Sequence, residues 1–186
     1  YETRHLINAL TGLLGVLAVY RLGTLLGGPA TGFLAALLLV LTPRYFGHTF
    51  NNPKDIPFAV CYIWSIYYIV RSLEHLPQLP LALLIKTGLA IGFTLGIRIG
   101  GIVLVGYLLV FSILTVILSQ RSEGIPHRTF KRLLQLLRPL LSVAGIAYSI
   151  IIVFWPWAQR NPVTEPVQTL THFSSFPEEH LSFFEG

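Results

Sequence analysis

The residues best suited to chemistry gather in one short stretch, "GHTFNNPKD" (Gly47 to Asp55), set between two long apolar runs. His48 and Asp55 can exchange a proton, Lys54 can hold an anion, and Asn52 can offer both a donor and an acceptor. Arg44 lies just upstream, and Arg98 stands further along in "GIRIGG", flanked by glycines on both sides. An arginine at such a position is suited to holding a phosphate through bidentate hydrogen bonds. His48, His172 and Asp55 are the candidate ligands for a divalent metal, although their spacing matches no compact metal site. No glycine-rich phosphate loop lies between a strand and a helix, and no cysteine–histidine or serine–histidine–aspartate layout suggests a nucleophile.

Part of this chemistry has a purely structural reading. Asn52 can cap a helix, with Pro53 as its first residue and Asp55 as a third-position acid favoured by the helix dipole. A second register makes Asp55 the cap, which suits Pro57 but leaves the two asparagines idle. Neither register needs His48 or Lys54. Arg98, likewise, can serve as an anchor at the membrane edge, its charge reaching headgroups while the glycines allow a tight turn.

The elements that position these residues follow from composition. Of 186 residues, 53% are hydrophobic and 11% charged, and the mean hydropathy is +0.67. Soluble domains carry roughly a quarter charged residues. The apolar runs are also too long for buried core helices, so the fold class expected is all-α, a polytopic integral membrane protein. On such a chain the net charge of +5 records topology more than an anionic partner, and no nucleic-acid partner is expected. Cys61 is the single cysteine, which rules out an intramolecular disulfide. There is no methionine and no signal-peptide layout at the start, so the chain reads as an internal piece of a longer protein.

Runs long enough to cross about 30 Å of hydrocarbon fall at 5–26, 29–46, 56–73, 80–97, 99–119 and 139–157. Six spans are expected, with five or seven as the alternatives, and Gly27-Gly28-Pro29 is the break between the first two. Residues 1–157 then form a transmembrane core, and 158–186 an extracytoplasmic loop. Six crossings sort the loops into two sets. One set carries Arg21, Arg71, Lys86, Arg121, Arg128, Lys131, Arg132 and Arg138 against Glu74 and Glu123. The other carries Arg4, Arg44, Lys54, Arg98 and Arg160 against Glu2, Asp55, Glu165, Glu178, Glu179 and Glu185. The positive-inside rule makes the first set cytoplasmic, so Arg44, Lys54, Asp55 and Arg98 are expected together at one depth on the outer face. Residues 120–138 read as a basic cytoplasmic loop that fixes orientation, with the alternative that its amphipathic segment "FKRLLQLLR" lies flat on an anionic cytoplasmic leaflet.

The order of these features resembles a known group. The segments "AVYRLGTLLGG", "LLLVLTPRYFGHTFNNPKDIPFA", "GIRIGG" and "FWPWAQRNPV", in that order, resemble the middle of the bacterial GT-C membrane glycosyltransferases, the superfamily that contains the dolichyl-phosphate-mannose–protein mannosyltransferase-like family. The resemblance covers essentially the whole chain and is most specific at Pro43–Ala59. It implies a multi-pass enzyme of the bacterial inner membrane that draws a sugar from a polyprenyl-phosphate carrier. The sugar would pass to a hydroxyl of a protein, lipid or glycan on the extracytoplasmic side, among membrane lipids. Cations would stabilise charge on the departing phosphate, and a carboxylate would take the acceptor's proton.

The same resemblance assigns roles. Asp55 matches the second outer-loop acidic position of the family and is the candidate catalytic residue, orienting Lys54 or binding a divalent metal. Lys54 and Arg98 would hold the carrier phosphate, with Arg44 nearby, while His48 and Asn52 would line the sugar or acceptor side. The catalytic acidic motif of the family lies in the first outer loop, before the first residue seen here. The base is therefore expected upstream, and this piece alone is expected to be inactive. The competing class is a transporter or lipid flippase, which would place ionisable residues or broken helices near mid-membrane. Lys86 is the ionisable residue of this kind within the spans, near a cytoplasmic end, and the others sit at the edges.

Overall fold

The computed structural model describes residues 2–123, 127–156, 158–162, 164–165, 168 and 171. All elements among them are helical: α1 (Glu2–Leu41), α2 (Pro43–Asn51), α3 (Asp55–Leu73), α4 (Leu81–Ile97), a 3-10 turn (Ile99–Gly101), α5 (Ile102–Glu123) and α6 (His127–Phe154). Much of the expected outer loop 158–186, with His172, lies outside the described residues.

α1 is one helix by continuity and two by direction. Gly28 has φ 86° and ψ 177°, a combination open essentially to glycine alone, and Pro29 follows as a ready first residue for the second arm. The arms fold back on each other. A Cβ added at Gly23 would lie 2.9 Å from Gly32 Cα, whereas a straight helix would hold those residues about 13 Å apart. Farther from the bend, Leu39 of the second arm lines the same cavity as Gly15 and Val19 of the first. The break expected at Gly27-Gly28-Pro29 is thus a helical hairpin.

Two boundaries differ from those expected. The run 29–46 stops at Leu41, because Pro43 cannot donate a hydrogen bond into the preceding turn and instead begins α2, with Thr42 at its N-cap. His48 therefore sits on a helix, not in a connection. The second correction concerns 120–138, expected as a loop ahead of a span at 139. α6 is already helical from His127, and Leu136 within that stretch is buried, at 2% exposure. Leu133, Leu136, Leu137 and Leu140 recur at helical spacing, and that periodicity continues through Pro139.

Four helical stretches are long and apolar enough to cross a membrane: Glu2–Leu41, Asp55–Leu73, Ile99–Ser119 and Phe130–Phe154; Leu81–Ile97 is a shorter apolar helix. Large apolar side chains such as Leu38, Leu81, Leu141 and Val153 point outward, which is costly in water and favourable in lipid. The chain is an all-α membrane protein.

α4 is the centre of the bundle. On one face Gly88, Gly92 and Gly96 recur every fourth residue and let α6 approach to backbone contact; a Cβ on Gly92 would lie 3.0 Å from Ala147 Cα. On the other, Ser65 and Thr94 hydroxyls meet at 3.1 Å, and Ser72 and Thr87 at 2.9 Å, tying α3 to α4. Between them lies a core of Ile69, Ile91, Leu95, Leu104, Leu108, Val143, Ala147 and Ile151. The result is a rigid frame whose ends carry the charged residues.

Candidate functional site

The site forms where the α2–α3 connection meets the α4–α5 turn. Asn52 organises the first half. Its side-chain oxygen accepts the backbone N–H of Lys54 (3.2 Å) and of Asp55 (2.9 Å), which caps the start of α3. Its amide nitrogen donates to Asp55 Oδ2 at 2.6 Å and lies 3.2 Å from His48 Nδ1. A donor at that distance requires Nδ1 to be the acceptor, which places the ring proton on Nε2. Asn52 does accept N–H groups at the start of α3, but the expected register is not the one formed: the helix begins at Asp55, two residues after Pro53, and Lys54 holds the N-cap position.

Arg98 supplies the second half. It leaves α4 in extended backbone, φ −148° and ψ 137°, while its N–H still donates to Thr94 O at 3.1 Å. The following turn is tight: a Cβ on Gly101 would lie 3.1 Å from Leu95 N. A guanidinium nitrogen of Arg98 pairs with Asp55 Oδ1, and its carbon lies 5.8 Å from the Phe58 ring centroid. Cation and ring lie within the range of a cation–π contact. The side chains of Arg98 and Asp55 are 48% and 52% exposed, so the pair is reachable from outside the bundle. Half-exposed ion pairs contribute little stability, on the order of 1 kcal/mol or less. Fixing the direction of the guanidinium is the larger consequence.

The expected site residues therefore divide. His48, Asn52, Asp55 and Arg98 form one connected chain of contacts. Lys54 is exposed beside it at the head of α3, and forms no ion pair among the described residues; the carboxylate next to it is held by Arg98 and Asn52. Arg44 is not brought in. It is the second residue of α2, eight residues and about 12 Å of helix from Asn52, and Tyr45 beside it donates its hydroxyl to Gly12 O at 2.8 Å. Partial burial of that hydroxyl raises its pKa above the ordinary phenol range, so it stays a donor. Among the described residues no group of three or more His, Cys, Asp or Glu is placed to hold a metal ion.

Sequence reasoning missed the supports. Asn8, 5% exposed, donates to Thr49 O at 2.8 Å and His48 O at 3.3 Å, holding the end of α2 against α1. His5 Nδ1 lies 2.7 Å from Phe50 O. A cavity of about 150 Å³ opens beside them, lined by Arg4, His5, Asn8, Phe50, Asn51 and Pro53. The usable signal was a lone asparagine inside the apolar run. On the far side, Trp155 Nε1 donates to Gly96 O at 3.0 Å, which ties the end of α6 to the end of α4 just before Arg98.

Helices suited to lipid, with a charged and hydrogen-bonded group at one end of the bundle, define a membrane protein. Residues 4–157 match the family described as dolichyl-phosphate-mannose-protein mannosyltransferase, and the chain belongs to that family. The match contains α2–α5, and with them His48, Asn52, Asp55 and Arg98. Family membership implies a glycosyltransferase that uses polyprenyl-phosphate-sugar donors, and does not favour a transporter or flippase. No curated protein and no solved structure matches the chain.

Proposed function

We propose that the protein transfers a hexose from a polyprenyl-phosphate carrier to a hydroxyl of a protein, lipid or glycan on the extracytoplasmic face of the bacterial inner membrane. In this reading Arg98 and Lys54 hold the carrier phosphate, and His48 and Asn52 line the sugar or acceptor side. The carbon–oxygen bond between the sugar and the phosphate breaks as the acceptor oxygen bonds to the anomeric carbon. The electron pair leaves on the phosphate, where the two cations stabilise it, and the acceptor's proton passes to a carboxylate.

The observation that carries the reading is the Asp55–Arg98 pair. Both oxygens of Asp55 already accept, one from Arg98 and one from Asn52. We therefore give Asp55 the role of positioning Arg98, and leave the proton to another carboxylate. With Asp55 on one side and Phe58 near the guanidinium carbon, the half-exposed guanidinium keeps further N–H groups with which to meet a phosphate.

The test is transfer from polyprenyl-phosphate mannose, measured with the full-length protein in membranes. Removing one donor to a developing oxyanion costs about 10²–10³ in rate, and Arg98→Ala is expected to fall in that range. Asp55→Ala should lose less, about tenfold, because it removes positioning and not the cation itself. Undiminished transfer by both variants contradicts the assignment.

A further inference from the structure

Two cations stand toward the opposite end of the bundle from the Asp55–Arg98 pair. Lys86 is five residues into α4, about 8 Å from its start and about 18 Å of helix from Arg98. Arg21 is seven residues before the Gly28 bend, about 10 Å. Both are exposed, and neither has a carboxylate partner among the described residues.

The two are joined by one surface. Arg21 lies over the Trp64 ring, 6.0 Å from its centroid, and Trp64 stacks on Tyr68 at 5.6 Å. Trp64, Tyr68 and Lys86, with Leu14 and Phe93, line an open groove of about 340 Å³ between α1, α3 and α4, and the surface facing it is almost wholly apolar, so Lys86 lends it mainly its aliphatic stem. Trp64 is fixed from behind by its N–H, which donates to Leu14 O at 3.2 Å. The groove thus pairs an apolar trough, with Lys86 in its wall, with a second cation, Arg21, set over its Trp64 wall, and with an aromatic platform of the kind found at membrane interfaces.

We infer that this groove binds an anionic phospholipid, with the headgroup phosphate between Arg21 and Lys86 and an acyl chain lying along Trp64, Leu14 and Phe93. Charge complementarity selects this occupant. A zwitterionic lipid fills the trough equally well but leaves the two cations with no net counter-charge, and an uncharged helix leaves them with none at all. The site is separate from the sugar-transfer site, and the inference does not depend on that reading.

The groove tryptophan makes the test direct. The full chain is reconstituted in phosphatidylcholine nanodiscs and titrated with phosphatidylglycerol or phosphatidylcholine carrying the same brominated acyl chains, which quench nearby tryptophan. The Trp64 contribution is taken as the difference from Trp64→Phe. Phosphatidylglycerol is expected to associate about fivefold more strongly for each cation engaged. Arg21→Gln with Lys86→Gln should bring the ratio to about one, and Arg21→Lys with Lys86→Arg should keep it. Equal quenching by the two lipids in the unaltered protein overturns the inference, as does a preference that survives the double glutamine variant. Absence of quenching by either lipid also overturns it, since another segment of the protein then fills the groove. Displacement by polyprenyl phosphate does so too, by assigning the groove to the carrier.

Discussion

At the residue scale, the site rests on how few groups serve several purposes. Asn52 caps α3, restrains Asp55 and meets His48 with a single amide. Asp55 spends its two oxygens on Asn52 and Arg98, which leaves Lys54 as the cation with a free direction. Both supports were partly legible in the sequence, since an asparagine before a proline signals a cap and an arginine between glycines signals a turn. What was not legible was the partner of Asp55. Lys54 is its neighbour in the chain, yet successive residues at a helix start point in different directions, and the arginine that pairs with it comes from 43 positions away. Asn8 was equally hidden, because its use depends on α2 being a helix whose last carbonyls need a donor. Replacing it with alanine should cost about 1–2 kcal/mol, the usual range for leaving a buried hydrogen-bonding group unpaired. A melting curve in detergent reads that loss, and an unchanged midpoint contradicts the role.

At the element scale, the spans were readable because apolar length and glycine–proline breaks are local signals. The Gly28 bend is of this kind: position and residue types announced it, although only the φ of 86° shows that the chain turns fully back. The boundaries that failed did so for physical reasons. Pro43 ends one helix and opens another within a run of uniform hydropathy. At the start of α6 the basic residues suggested a loop, while leucines at helical spacing kept the helix intact. α4 is where packing is least forgiving. Gly92→Leu would drive a side chain into the Ala147 backbone and should destabilise the bundle by about 1–3 kcal/mol, the cost of overpacking. Thermal unfolding of the detergent-solubilised protein checks it. Gly106, with open space around its Cβ direction, is the matched control and should tolerate alanine.

At the scale of the whole molecule, the site depends on a frame that brings both ends of α3 and α4 into register across the bundle. The hydroxyl pairs between these helices and the glycine stripe toward α6 hold that register, so that Asp55 and Arg98 meet. The proposed outer-face orientation, argued from charge, puts Lys54 outside and the α3–α4 turn inside. Cysteine labelling resolves the sides. With Cys61 replaced by alanine, Lys54→Cys should react with an impermeant maleimide in intact cells, and Gln78→Cys only after permeabilisation. The reverse pattern contradicts the orientation.

The central claim is that Arg98, aimed by Asp55, holds the phosphate of the carrier. It is tested most directly by the binding of short-chain polyprenyl phosphate, without sugar, to the full chain and to Arg98→Gln, Asp55→Asn and the double variant. Each truncation of a charge-assisted hydrogen bond should weaken binding, by about ten- to a hundredfold for Arg98→Gln. Because Asp55 acts through Arg98, the double variant should bind no more weakly than Arg98→Gln alone. Unchanged binding in Arg98→Gln, or fully additive losses in the double variant, would contradict the account.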